Sequence, residues 1–130
     1  MAMGLSIVSG LAQSGTWVPK AKPISGTWQI TEKGGKKMLV LKGFKTSHSP
    51  DLKLFLSPRA SGKLTGNNAT KNSVEIGDLK SFDGDQSYVL PKGVDLSKFR
   101  SVVIHCEKYS KLWGVGTLYG SLALFEIAPF

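Results

Sequence analysis

FRSVVIHCEKYSKLWG, residues 99–114, is the stretch on which the reading of the whole chain turns, and it holds the only cysteine. Within it Val102-Val103-Ile104-His105-Cys106-Glu107 is rich in β-branched residues and too short and punctuated for a helix, which predicts a strand. Side chains alternate across a strand, so Val102, Ile104 and Cys106 share one face and Val103, His105 and Glu107 the other. Cys106 therefore falls on the more uniformly apolar side, the parity of a buried core cysteine. Its surroundings also suit a reactive thiol. Lys108 follows two residues on with the same parity, and Tyr109, Lys111 and Trp113 crowd the strand's exit. A lysine beside a cysteine favours the thiolate, the reactive form. His105 points to the opposite face of a regular strand and is a poor activating base for its neighbour unless a bulge turns it.

Working outward, the clearest neighbouring signal lies upstream. Ile24, Gly26, Trp28 and Ile30 alternate with polar residues, the mark of a half-buried strand. Residues 32–36, EKGGK, turn the chain on paired glycines. Residues 37–44 return as a second strand carrying Met38, Leu39, Val40 and Leu41. Residues 45–51, KTSHSPD, make a polar loop in which His48 reads as solvated. Leu52, Leu54 and Leu56 then face inward from a further strand with Lys53 outward. Residues 57–72 have turn composition throughout and are expected to form a long exposed loop. Within them Asn68-Ala69-Thr70 fits a glycan acceptor, relevant only in an exported eukaryotic chain.

Val74 and Ile76 start a short strand, and Tyr88 and Leu90 mark another. Asp78, Asp83 and Asp85 lie between them, but their spacing does not fit a calcium loop, and Asp83-Gly84 is a turn former. Residues 91–98 turn back into the central stretch, with one helical turn at 95–98. A last strand is expected over residues 118–127, with Leu122, Leu124 and Phe125 apolar. Frequent turn signals and no sustained helical period predict an all-β chain, a single-domain antiparallel β-sandwich or flattened barrel of about 7–9 short strands. Residues 1–22 are expected to be a lead-in, either flexible or adding an extra strand, with 18–23 as a linker. Residues 23–130 are expected to form the β domain.

At 130 residues and a net charge of +8 the chain is one basic domain, with a pI near 9.7. The charge is carried by scattered lysines, which suits weak attraction to polyanions. Arginine occurs only at Arg59 and Arg100, and no nucleic-acid motif is present, which argues against sequence-specific DNA or RNA binding. One cysteine excludes an intrachain disulfide and a cysteine-based zinc site, and His48 and His105 match no metal spacing. Residues 5–12 form a short, interrupted apolar run without a basic start, a weak signal peptide at best. No stretch is long enough to span a membrane as a helix. No nucleophile–base–acid set marks a hydrolytic enzyme, and a stand-alone enzyme of any kind is not the expectation.

Several phrases, in order, carry a resemblance. Ser25-Gly26-Thr27 comes first, then Ser49-Pro50-Asp51-Leu52 entering a leucine-rich strand. Gly77-Asp78-Leu79-Lys80 precedes Gly84-Asp85-Gln86-Ser87-Tyr88, followed by Pro91 and Val94-Asp95-Leu96. Ser101-Val102-Val103-Ile104 then runs into Cys106, with Tyr109 and Gly114 trailing. Over roughly residues 24–118 the chain resembles the DM-thirteen domain, an extracytoplasmic β module often found beside DOMON domains. The resemblance implies a redox or electron-transfer module centred on Cys106, as a free thiol or as ligand to a group such as haem. It also implies a redox partner on another polypeptide, an extracytoplasmic, secreted or periplasmic setting, and a match between Asp51 and the family's aspartate. A haem would need apolar walls, for which Trp28, Phe82 and Trp113 are the candidates. The alternative function is a non-catalytic adhesion or binding module that presents its lysine-rich surface to an anionic or protein partner. Access to the Cys106 sulfur separates the two.

Overall fold

The computed structural model describes residues 11–118, with side chains from Gln13 onward. Nine strands make up two antiparallel sheets, with no α-helix among the described residues. The strands are β1 (Leu11–Thr16), β2 (Val18–Pro19), β3 (Ile24–Lys33), β4 (Lys36–Thr46), β5 (Leu52–Ser57), β6 (Val74–Asp78), β7 (Gln86–Val89), β8 (Ser101–Cys106) and β9 (Lys111–Thr117). The first sheet has the order β1-β3-β4-β7, and the second has β2-β9-β8-β5-β6. The two pack face to face without closing into a barrel, so the sandwich of the two expected architectures is the one formed.

The β3–β4 ribbon follows directly from its sequence. Gly34 and Gly35 take φ of 60° and 78°, the left-handed region that a two-residue hairpin turn needs and that glycine enters without a Cβ penalty. From that turn the register runs without interruption from Lys33↔Lys36 to Thr27↔Lys42. It places Trp28, Ile30, Leu39 and Leu41 inward, each fully buried. Across the sandwich Leu52, Leu54 and Leu56 from β5 meet them, with Val102, Ile104 and Cys106 from β8. Alternation in β5 and β8 predicts these residues, and burying each large aliphatic side chain contributes about 2 kcal/mol.

The centre of the second sheet is buried on both faces, which its sequence alone did not require. All six residues of β8 are buried. On the outer face Phe55, Val103 and Val115 form a smaller core with Leu64 and Ala69. Those last two belong to residues 57–72, expected as an exposed loop, of which Ser57 ends β5. The segment instead folds over the sheet. A 3-10 turn at Ser61–Lys63 starts it, and the Arg59 guanidinium donates to the Asn68 and Lys71 carbonyls at 3.2 and 2.6 Å. The Asn68 amide nitrogen, the atom a glycan would take, donates to the Lys63 carbonyl at 3.0 Å.

Two further expectations differ at the edges. Val18 and Pro19, expected within a linker, pair with Val115 and Gly114 and extend the second sheet. The strand that follows Cys106 among the described residues is β9 at Lys111–Thr117, which the sequence reading did not single out. Leu118 is buried beyond the end of β9, and residues 119–127 lie outside the described residues. Asp95 caps the 3-10 turn Leu96–Lys98 by accepting from the Ser97 N–H, so the short helical turn expected there is present as a 3-10 turn.

Candidate functional site

Cys106 is the last residue of β8 and pairs with Leu52 in β5 and Lys111 in β9. Its side chain points into the sandwich and has no exposed surface. The sulfur is not surrounded by aliphatic groups alone. Leu52 is the first residue of β5, so this register lays the preceding residues over the thiol. The thiol donates to the Pro50 carbonyl at 3.4 Å and lies 3.6 Å from the Ser49 hydroxyl. Pro50 is exposed and Ser49 half-buried. One layer of chain therefore separates the sulfur from solvent.

That layer is a strap, residues 47–51, fastened at both ends. At its start Thr46 donates its N–H to the Phe82 carbonyl and its hydroxyl to the Pro23 carbonyl, each at 2.9 Å. The same hydroxyl accepts the Trp113 indole N–H at 2.9 Å. At its end the Asp51 carbonyl accepts the Glu107 N–H at 3.0 Å. Asp51 holds φ at 61°, a conformation that costs a non-glycine residue about 1 kcal/mol. Midway, His48 stacks on Phe82 with centroids 4.3 Å apart. Two clefts adjoin the strap. One, of about 330 Å3, is lined by Ser49, Asp51, Leu52, Asp78, Leu79 and Phe82. The other, of about 410 Å3, is lined by Pro23, Ile24, Ser25, Lys45, Thr46 and Ser47.

The other residues singled out by sequence fall as follows. The strand ends at Cys106, so its parity does not carry Lys108 to the sulfur. Lys108 is exposed in the β8–β9 turn, with its amine over the Tyr109 ring at 5.7 Å. His105 lies on the opposite face from the thiol, as alternation requires, and is buried. Its Nδ1 meets the Glu107 carboxylate, and its Nε2 donates to the Gly66 carbonyl at 2.8 Å. This pair fastens the 58–72 segment to the sheet and does not address the thiol. The Asp83–Asp85 turn docks on β4, where Asp85 accepts the Gly43 N–H at 2.7 Å. Among the described residues no three His, Cys, Asp or Glu side chains come together as a metal site.

Thiolate ligation of haem would need an apolar slot over the sulfur. The Pro50 carbonyl and Ser49 hydroxyl hold that position. Of the candidate walls, Trp28 is closely packed on Gly15 and near Gly116 in the core. Trp113 is buried with its indole bonded to Thr46, and Phe82 stacks on His48. The residues as arranged do not fit a haem at Cys106.

Sequence reasoning missed Ser49 and Pro50 as partners of the thiol. Their signal is the Leu52↔Cys106 pairing, which becomes visible only when β5 and β8 are known to be neighbours. Together the fold and site define a class: a small antiparallel β-sandwich with one interior thiol beneath an exposed loop. Residues 17–118 match the family described as electron transfer DM13. The chain belongs to that family. No curated protein and no solved structure matches it.

Proposed function

We propose that the chain is an electron-transfer module whose redox group is the Cys106 thiol, exposed to a partner when the 47–51 strap lifts. The observation that carries this reading is the polar, single-layer cover on the sulfur, formed by exposed Pro50 and half-buried Ser49. A thiol held to a surface loop by its contacts with Pro50 and Ser49 is released by local opening, at far lower cost than unfolding the sandwich. The chemistry that suits it is thiol–disulfide exchange with another polypeptide. Cys106 gives up its proton and its sulfur attacks one sulfur of the partner's disulfide. That S–S bond breaks, and the departing thiolate takes up a proton. Cys106 is then oxidised to a mixed disulfide and the departing sulfur is reduced. An extracytoplasmic setting suits this exchange, because disulfide-bearing partners persist there.

The test is incubation of the native protein with glutathione disulfide, followed by intact mass and by reduction with dithiothreitol. A single adduct that forms under native conditions, reverses on reduction and is absent from C106S is the expected result. An adduct that forms only in denaturant removes the redox role. Full burial of Cys106 favours a second reading, in which the cysteine is core and the sandwich is a non-catalytic binding module. In that case C106A retains all partner binding and no native adduct forms.

A further inference from the structure

The end of the sandwich remote from Cys106 carries a feature that the redox reading does not use. A groove of about 380 Å3 runs between the β3–β4 turn and the chain leaving β7, lined by Gly34, Gly35, Lys36, Lys37, Val89 and Lys92 among others. Its apolar side continues onto the outer face of the first sheet. Val89 is 53% exposed and pairs with half-buried Met38, and Val40 lies two residues further along that face. Around this strip stand Lys33, Lys36, Lys37 and Lys92. Lys98 is close as well, since it and Lys37 both act on the Asp95 carboxyl, after the larger effect of Ser97. Among the described residues Lys37 pairs with Glu32 at 4.0 Å, and Lys98 and Lys37 share the Asp95 carboxyl. Lys36 and Lys92 have no acidic partner among the described residues.

An apolar centre rimmed by lysines, with Lys36 and Lys92 free of acidic partners among the described residues, is the anatomy of a docking patch for an acidic partner. The groove is concave, which suits an extended chain laying an apolar side chain on Val89 and carboxylates on the rim better than it suits a flat bilayer. It is also far larger than a single phosphate needs. We propose that this groove docks an acidic segment of a partner protein, with leucine-like residues against Val89 and Met38 and carboxylates on Lys36 and Lys92. The site stands apart from the chemistry at Cys106. β4 leads from Lys36 in the groove to Thr46 beside the strap, a span of roughly 30 Å at the rise of a strand. The arrangement separates docking at one end from thiol exposure at the other, and neither reading needs the other to hold.

Titration of the full chain with a synthetic peptide of alternating glutamate and leucine, followed by amide chemical shifts, tests the proposal. Shifts confined to Gly34–Met38 and Val89–Gly93 are expected, with affinity falling about tenfold from about 20 to about 200 mM salt. The double variant K36E/K92E is expected to weaken binding at least about tenfold, and V89S to weaken it at unchanged salt dependence. The control K63E/K71E, on the far face of the second sheet, is expected to leave affinity within about twofold, and thermal melts confirm that each variant is folded. Equal losses in both double variants would reduce the effect to general polyanion attraction and overturn the proposal. So would an absence of shifts, or Lys36- and Lys92-dependent binding to phosphatidylserine vesicles without binding to the peptide.

Discussion

His105 shows what a single buried polar residue does in this sandwich. Both ring nitrogens face oxygens, Gly66 on one side and Glu107 on the other, and Phe55 packs edge-on at 6.2 Å. Replacement by leucine keeps the volume but leaves the Gly66 carbonyl and the Glu107 carboxylate without their donor. Unsatisfied buried acceptors cost about 1–3 kcal/mol, and Gly66 and Glu107 are half-buried, so H105L should lower stability by about 1 kcal/mol in urea unfolding. Its Cys106 adduct formation should be unchanged, because the ring lies on the other face of β8. Tyr88 makes the complementary case in alkali. Burial raises its phenol above the ordinary value, partly offset by the N–H that Lys80 donates to it. A raised folded-state value means that stability is fully present below the unfolded tyrosine value, about 10, and is lost as pH rises through the folded one. Y88F should therefore show a shallower fall in stability above about pH 10 than the parent. An equal fall would assign the alkaline loss elsewhere, for instance to Lys53, raised chiefly by its hydrogen bond to Asp78.

Among the elements, β9 explains most about what sequence can and cannot reveal. Lys111–Thr117 reads KLWGVGT, and its two glycines erase the alternation that marks a strand. Their reason lies in the opposite sheet. A Cβ on Gly116 would drive into the indole of fully buried Trp28, whereas one on Gly114 would meet mainly the Cδ1 end of half-buried Ile24. A rigid buried ring cannot yield and a chain end can. G116A should therefore cost about 2–3 kcal/mol, and G114A less than half of that, in parallel denaturant titrations. The β3–β4 hairpin, β5 and β8 were legible because each alternates under a local rule. The 58–72 segment was not, since its hold on the sheet rests on two apolar side chains, Leu64 and Ala69, on the buried His105, and on the hydroxyls of Ser101 and Thr117 meeting Arg59 and Ser61. The thiol's face was legible from parity, while its cover depended on which strands are neighbours.

At the scale of the whole molecule the two ends differ in chemistry. One holds a strapped thiol, and the other an apolar strip among lysines. The core between them is continuous from Trp28 and Leu41 to Ile104 and Cys106, so opening of the strap is distinguishable from global unfolding. The rate of Cys106 alkylation in native protein, compared with the global unfolding rate and with the P50G variant, tests the central claim most directly. The account predicts labelling slower than in denatured chain yet faster than global unfolding allows, and about tenfold faster still in P50G, whose stability shifts by no more than about 1 kcal/mol. Labelling at the global unfolding rate in both proteins would contradict it and leave Cys106 a core residue.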